Sequence, residues 1–232
     1  MTIRSNGLSV LLIDADDTLW ENNVYYERVI RRIQDLLLPY GVDPHMFREH
    51  LNETERRSIP IHGYGTLNFT NSLVRACQDC APPEVRESLG AQARQWGLEL
   101  LEHPIEMIEG VSETLEYLAL RHPLHLITKG EPHEQERKIR TSGLSSFFQS
   151  VEILREKSAV HYRKLLGRRG WNADNTWMIG NSPRSDINPA VAAGMHAVFI
   201  PHPHTWILEH EPPVNDPRVL RLARFADLRD HF

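Results

Sequence analysis

The sequence predicts an α/β fold: a parallel sheet covered by crossover helices and interrupted near its start by a mostly helical insertion. Three observations predict it. Five short apolar runs, at 10–13, 124–127, 151–154, 176–179 and 197–200, are mostly bounded by Gly, Pro, Asp or Asn, as strands buried on both faces are. Helical patterns fill the spaces between the later runs. The 232 residues amount to about one and a half domains at roughly 150 residues each, room for one full core and something smaller.

The elements follow in chain order. Val10-Leu11-Leu12-Ile13 reads as the first strand, and about a hundred residues pass before the second. Within that gap Val29, Ile30, Ile33, Leu36 and Leu37 share a helix face, with Arg28, Arg31 and Arg32 on the other side. Further helical segments are expected around 44–55, 67–77 and 83–101, and no strand signal stands among them. From about 105 to 200, strand and helix alternate. Val111, Leu115 and Leu118 mark one helix, 134–140 a second with Pro132 near its start, and Val160, Leu165 and Leu166 a third. Such alternation argues for parallel strands joined by crossover helices. The domains expected are therefore a core of 1–19 and 105–232 and an insertion of 20–104. The tail from Glu211, with Pro212, Pro213 and Pro217, reads as a wrapping extension.

Composition excludes several classes. Hydrophobic residues at 41% and charged residues at 25% are globular values, which argues against a disordered or fibrous chain. With 31 acidic and 26 basic side chains there is no basic footprint, so no nucleic-acid partner is expected. The longest largely apolar stretch, 189–201, falls short of the ~18 residues that cross a bilayer, so no membrane partner is expected either. The polar residues 1–7 and the apolar 8–13, ending at once in acids, do not read as a secretory leader, and the expected location is cytoplasmic. Cys77 and Cys80 cannot build a disulfide scaffold; they read as i, i+3 neighbours in a core, since a zinc site needs two more ligands. A monomer or homodimer is expected.

The chemistry concentrates at strand ends. The first strand runs into Asp14-Ala15-Asp16-Asp17-Thr18, three carboxylates within four residues, a costly arrangement unless a divalent cation neutralises it. In open α/β sheets ligands bind beyond the carboxyl ends of the strands, where these acids would lie. The second strand ends in Thr128-Lys129-Gly130, a turn with a hydroxyl and exposed amides able to hold an anion. Lys157 follows the third, and the fourth ends in Gly180-Asn181-Ser182-Pro183-Arg184-Ser185-Asp186. Each has an ordinary reading alone: a cap, a turn residue, a solvated charge. Acid, hydroxyl, amine and acid on four successive strand ends make a pattern.

That pattern resembles the haloacid dehalogenase (HAD) superfamily of Rossmann-like hydrolases. Its Asp-x-Asp-x-Thr motif is matched by Asp14, Asp16 and Thr18, its second motif by Thr128, and its Lys by Lys157, with Lys164 a poorer candidate. Its Gly-Asp followed by a further Asp is matched by Gly180-Asn181 and Asp186. The insertion stands where the family places a helical cap. The resemblance implies that Asp14 is a nucleophile forming an aspartyl-phosphate, and that Asp16 protonates the leaving alcohol and then deprotonates the attacking water. It implies that Thr128 and Lys157 hold the phosphoryl oxygens. Magnesium would be held by Asp14, the main-chain carbonyl of Asp16, Asn181 and Asp186. Thr128, Lys129, Gly130, Trp20 and Asn22 are the expected substrate contacts.

Family members that dehalogenate carbon carry no Asp at the place of Asp16, so the resemblance implies a magnesium-dependent phosphatase acting on a small phosphomonoester. A phosphomutase or phosphotransferase on the same intermediate is the alternative, and a catalytically weak binding protein of the same fold a more distant one. Three departures stand out: Asn181 where an Asp is usual, Asp17 where Gly is frequent, and Ser158 after Lys157 where Pro is common. In the insertion, Arg56, Arg57, His62 and Tyr64 flank Gly63 and Gly65 and read more simply as surface residues than as leaving-group contacts. His202 and His204 suggest a metal pair, but with no third ligand in sight they read as a rigid surface loop.

Overall fold

In the computed structural model, residues 8–232 are described. They form two compact units, one of residues 8–21 and 105–232 and one of residues 22–104. The first unit holds a six-stranded, all-parallel sheet in the order β3-β2-β1-β4-β5-β6. Its strands are β1 (Val10–Ile13), β2 (Leu124–Lys129), β3 (Ser150–Leu154), β4 (Thr176–Gly180), β5 (His196–Phe199) and β6 (Val219–Arg221). The α/β expectation is met, with one strand more than the apolar runs indicated. β6 has three residues and only β5 beside it, so its pairing rests on a partner distant in sequence rather than on its own pattern.

Both faces of the sheet are covered, and the period-two alternation of side chains sorts the two cores. On one face Leu11, Ile13, Leu124, Leu126, Trp177 and Ile179 pack with Val111, Leu115 and Leu118 and with Phe225 and Leu228 of the tail. On the other, Leu12, Ile127 and Met178 pack with Tyr162, Leu165, Leu166, Ile187 and Val191. β1 lies centrally, with Ile13 beside Leu126 of β2 and Ile179 of β4. The chain leaves β1 toward β2 and later returns to pair β4 on its other side. That reversal opens a crevice at the carboxyl ends of β1 and β4.

The second unit contains α1 (Asn23–Leu37), α2 (Pro44–His62), α3 (Thr66–Cys80) and α4 (Arg86–Glu99). Its apolar stripe closes on itself: Val29, Ile30, Ile33 and Leu37 meet Phe47, Leu51, Phe69, Leu73 and Leu89. Cys77 is buried in that core, and burial pushes its thiol up to about 11, which fits an inert packing residue. Asp43 caps α2 by accepting from the Met46 N–H at 2.9 Å, with Pro44 at the first helical position. The first unit runs on to Glu21 rather than stopping at residue 19. Trp20 bridges Asp16 and Met107, and the Glu21 N–H donates to the Glu106 carbonyl at 2.9 Å. The helices of the sheet unit continue as α5 (Val111–Ala119), α6 (Pro132–Ser142), α7 (Ala159–Arg169) and α8 (Asn188–Ala192). No described helix is long and apolar enough to cross a membrane.

Candidate active site

The carboxyl ends of the strands bring together Asp14, Thr18, Lys157, Asn181 and Asp186. Asp14 follows β1 directly, its N–H on the Ile179 carbonyl at 2.9 Å. Lys157, between β3 and α7, donates to Asp14 Oδ1 and, at 2.7 Å, to Asp186 Oδ1. All three are buried. Burial, then the charge of Asp186, pushes Asp14 up to about 7 in spite of Lys157. Burial opposes the Lys157 ammonium too, but the two carboxylates outweigh it and hold its pKa above the ordinary value. Lys164 is exposed on α7, so Lys157 is the lysine of this cluster. Ser158 accepts from the His161 N–H and caps α7, which gives the residue after Lys157 its own local role.

Asp186 sits in a π-helical turn, Pro183–Ile187. Its Oδ2 accepts from the Ser182 N–H at 3.0 Å. A Cβ at Gly180 would lie 2.3 Å from that same oxygen, so glycine is what lets the carboxylate fold back under the end of β4. Thr18 Oγ1 donates to Asp14 Oδ2 at 3.1 Å and reaches Asn181 Oδ1 at 3.4 Å. The Asn181 amide donates to Thr205 at 3.1 Å, which leaves its carbonyl oxygen on the Thr18 side. Two carboxylates against one ammonium leave excess negative charge in a buried site, and every side-chain donor on Asp14, Asn181 and Asp186 that could take a cation is an oxygen. Such a set fits magnesium. Thr128, at the carboxyl end of β2, is 1% exposed.

Asp16 stands in different surroundings from Asp14. Its side chain is 22% exposed and paired with Lys138. The Trp20 indole N–H donates to Oδ1 at 2.7 Å, Gln135 Nε2 to Oδ2 at 2.9 Å, and Lys138 Nζ to both oxygens at 3.0 Å. Burial raises its pKa, but Lys138, Gln135 and Trp20 together outweigh that and hold it below the ordinary value. Asp17 adopts φ 58, the left-handed region that a Gly would enter freely and that Asp tolerates better than most residues.

The remaining residues singled out in the sequence have the following surroundings. Trp20 is 1% exposed, its ring in the core below the sheet ends and its N–H spent on Asp16. Lys129 pairs with Glu209 and donates to Ser185 at 2.8 Å, tying the β2 end to the tail. Gly130 takes φ 152 in the turn after β2. Asn22 belongs to the helical unit, at the start of α1. Arg56 and Arg57 pair with Glu53 on the exposed side of α2. His202 does have acidic neighbours: ligand atoms of Asp17, Glu21 and His202 lie within 4.8 Å of one another, which the chain order, with 181 residues from Glu21 to His202, conceals. Sequence reasoning missed Gln135, Lys138 and Glu209. The first two carry a faint signal, polar residues at i, i+3 on one face of α6; Glu209 carries none.

The model for haloacid dehalogenase-like hydrolases matches residues 12–200. The chain belongs to that family. It is similar to a haloacid dehalogenase-like hydrolase from Xanthomonas campestris, 28% identical with a TM-score of 0.84, covering 99% of this chain and 93% of that one. It is 25% identical to the phosphoserine phosphatase of Thermus thermophilus over 256 positions, 97% of this chain and 98% of that protein. YfnB of Bacillus subtilis, named only as a HAD hydrolase, matches at 28% identity over 120 residues, 49% of this chain and about half (51%) of YfnB. Its crystal structure bound to magnesium has a TM-score of 0.65 at 18% identity, covering 97% and 98% of the two chains. Solved structures with the same fold also include 2-haloacid dehalogenases, so the fold alone does not choose the reaction.

Proposed function

We propose that this HAD hydrolase is a magnesium-dependent phosphatase that hydrolyses a small phosphomonoester through an aspartyl-phosphate. The observation that carries the reading is Asp16, a carboxylate two residues beyond a buried Asp14 and held by its own set of donors. A departing alkoxide needs a proton and a departing halide does not, so a placed acid beside the nucleophile speaks for an ester of phosphate.

In this reading Asp16, held as the carboxylate by Lys138, Gln135 and Trp20 before substrate arrives, takes a proton from the incoming monoanionic ester. Asp14 attacks phosphorus while Asp16 passes that proton to the leaving oxygen, and the free alcohol departs. Asp16, now a carboxylate, takes a proton from the water that attacks the aspartyl-phosphate, which releases phosphate and restores both carboxyls. Lys157 keeps Asp14 in line and, with Thr128 and the Lys129–Gly130 turn, meets the phosphoryl oxygens. Asp14, the Asp16 carbonyl, Asn181 and Asp186 would hold magnesium, which when bound neutralises phosphoryl charge. The covalent step divides one displacement into two in a site where Lys157 offsets part of the charge of the two carboxylates.

The test is release of phosphate from 4-nitrophenyl phosphate and a panel of metabolite phosphomonoesters, with magnesium or with chelator. Turnover is expected in magnesium, and its loss in chelator and in Asp14→Asn. Absence of turnover above the Asp14→Asn background on every ester would sink the phosphatase reading, and undiminished turnover in chelator would sink the metal assignment.

A further inference from the structure

Asp16 is gripped from two directions. Trp20, four residues on, holds Oδ1 from β1's own loop, and α6 brings the other two donors. Gln135 and Lys138 stand three residues apart, so they project from the same face of that helix. Both are buried, at 4% and 7% exposure. The approach is built into the preceding turn. Glu131 caps α6 by accepting from the Glu134 N–H at 2.7 Å, with Pro132 in the first turn. Gly130 leaves the space that Gln135 occupies, since a Cβ there would stand 2.6 Å from Gln135 Nε2. Gln135 Nε2 also reaches the Lys129 carbonyl at 3.2 Å, which fixes the amide so that its N–H side faces Asp16.

An aspartate side chain alone samples several rotamers, and a proton-transfer group contributes only while it stands within hydrogen-bond reach of the reacting oxygen. Lys138 spans both oxygens of Asp16 at equal distance, which sets the plane of the carboxylate as well as its place. Resting on the phosphatase reading above, we propose that Lys138, seconded by Gln135, is a positioning residue: it holds Asp16 where the leaving oxygen will be. Neither side chain need touch substrate. Their effect passes through Asp16 and is therefore felt most where the leaving group most needs a proton.

That dependence supplies the test. 4-Nitrophenyl, phenyl and 4-methoxyphenyl phosphate form a series of increasingly poor leaving groups with nearly constant shape. In the wild type kcat/KM should fall only gently along the series, because a placed acid compensates. Lys138→Met should steepen the fall, with 4-methoxyphenyl phosphate losing on the order of tenfold to a hundredfold and 4-nitrophenyl phosphate much less. Lys138→Arg should restore part of the loss. Gln135→Met should steepen the series in the same direction by a smaller factor, and serves if Lys138→Met does not fold. Equal losses on all three esters, or none, would overturn the positioning role while leaving the phosphatase standing. A wild type inactive on every ester would overturn both.

Discussion

At the scale of single residues, the site is a set of charges whose neighbours decide what each can do. Asp14 and Asp16 are chemically identical and two positions apart, yet one is driven up to about 7 by burial and Asp186 and the other is held low by Lys138 and its partners. Asn181 is the departure that matters most for a cation. Its oxygen and Asp14 Oδ2 both face the Thr18 hydroxyl, so replacing the amide by a carboxylate adds charge to the same oxygen set. Asn181→Asp should lower the magnesium concentration for half-maximal turnover by roughly three- to tenfold, since affinity for hard cations rises with the charge of their ligands. An unchanged magnesium dependence would place Asn181 outside the ligand set.

At the scale of elements, the strands do more than carry site residues. β2 ends in Thr128 but also holds His125, buried beside Trp171 with its Nδ1 2.8 Å from the Ser150 hydroxyl of β3. Burial, helped by Arg169, lowers that imidazole from 6.5 to about 4. The unfolded chain therefore takes up a proton below 6.5 that the folded strand refuses. The stability tied to the neutral ring is whole above pH 6.5 and drains away as pH falls toward 4, at roughly 1.4 kcal/mol per unit. Chemical denaturation of the wild type against His125→Asn should show the difference: the variant loses less stability between pH 6.5 and 4.5. Parallel losses would clear His125 of the effect. On the helical side, Glu55 of α2 is 5% exposed, and burial and the Glu27 charge raise it to about 7 although Arg48 opposes them. Its sign is opposite. The protonated form suits the fold, so the stability it brings is whole below pH 4.5 and is lost as pH rises through 7.

At the scale of the whole molecule, the second unit has its own closed apolar core, and its two ends meet where the Tyr25 and His103 rings stack 3.6 Å apart. Residues 22–104 expressed alone should therefore melt cooperatively as a helical domain by circular dichroism. In that fragment Glu55→Gln should raise the melting temperature at pH 8 by a few degrees and leave it nearly unchanged at pH 4.5. A fragment without a cooperative melt would show that its core is insufficient by itself. Equal shifts at both pH values would dissociate Glu55 from the pH response.

The amino-acid order by itself determined a good deal. Buried parallel strands announce themselves because both of their faces are apolar. The acids, hydroxyl and lysine that follow them are legible because strand ends put chemistry at fixed places in the chain. Hence the α/β class and the family could be read before any contact was known. β6 could not, because three residues at a sheet edge pair only when β5 is already there. Nor could the grip on Asp16, the pairing of Lys129 with Glu209, or the meeting of His202 with Asp17 and Glu21, which lie 80 to 185 residues apart in the last two cases. Trp20 shows the difference most plainly. Its place beside Asp14 and Asp16 suggested a substrate contact, and only the packed structure shows the ring in the core with its N–H on Asp16. Sequence sets which groups are available; burial and partners brought together by the fold decide which of them stay charged, which stay free to move, and which hold another in place.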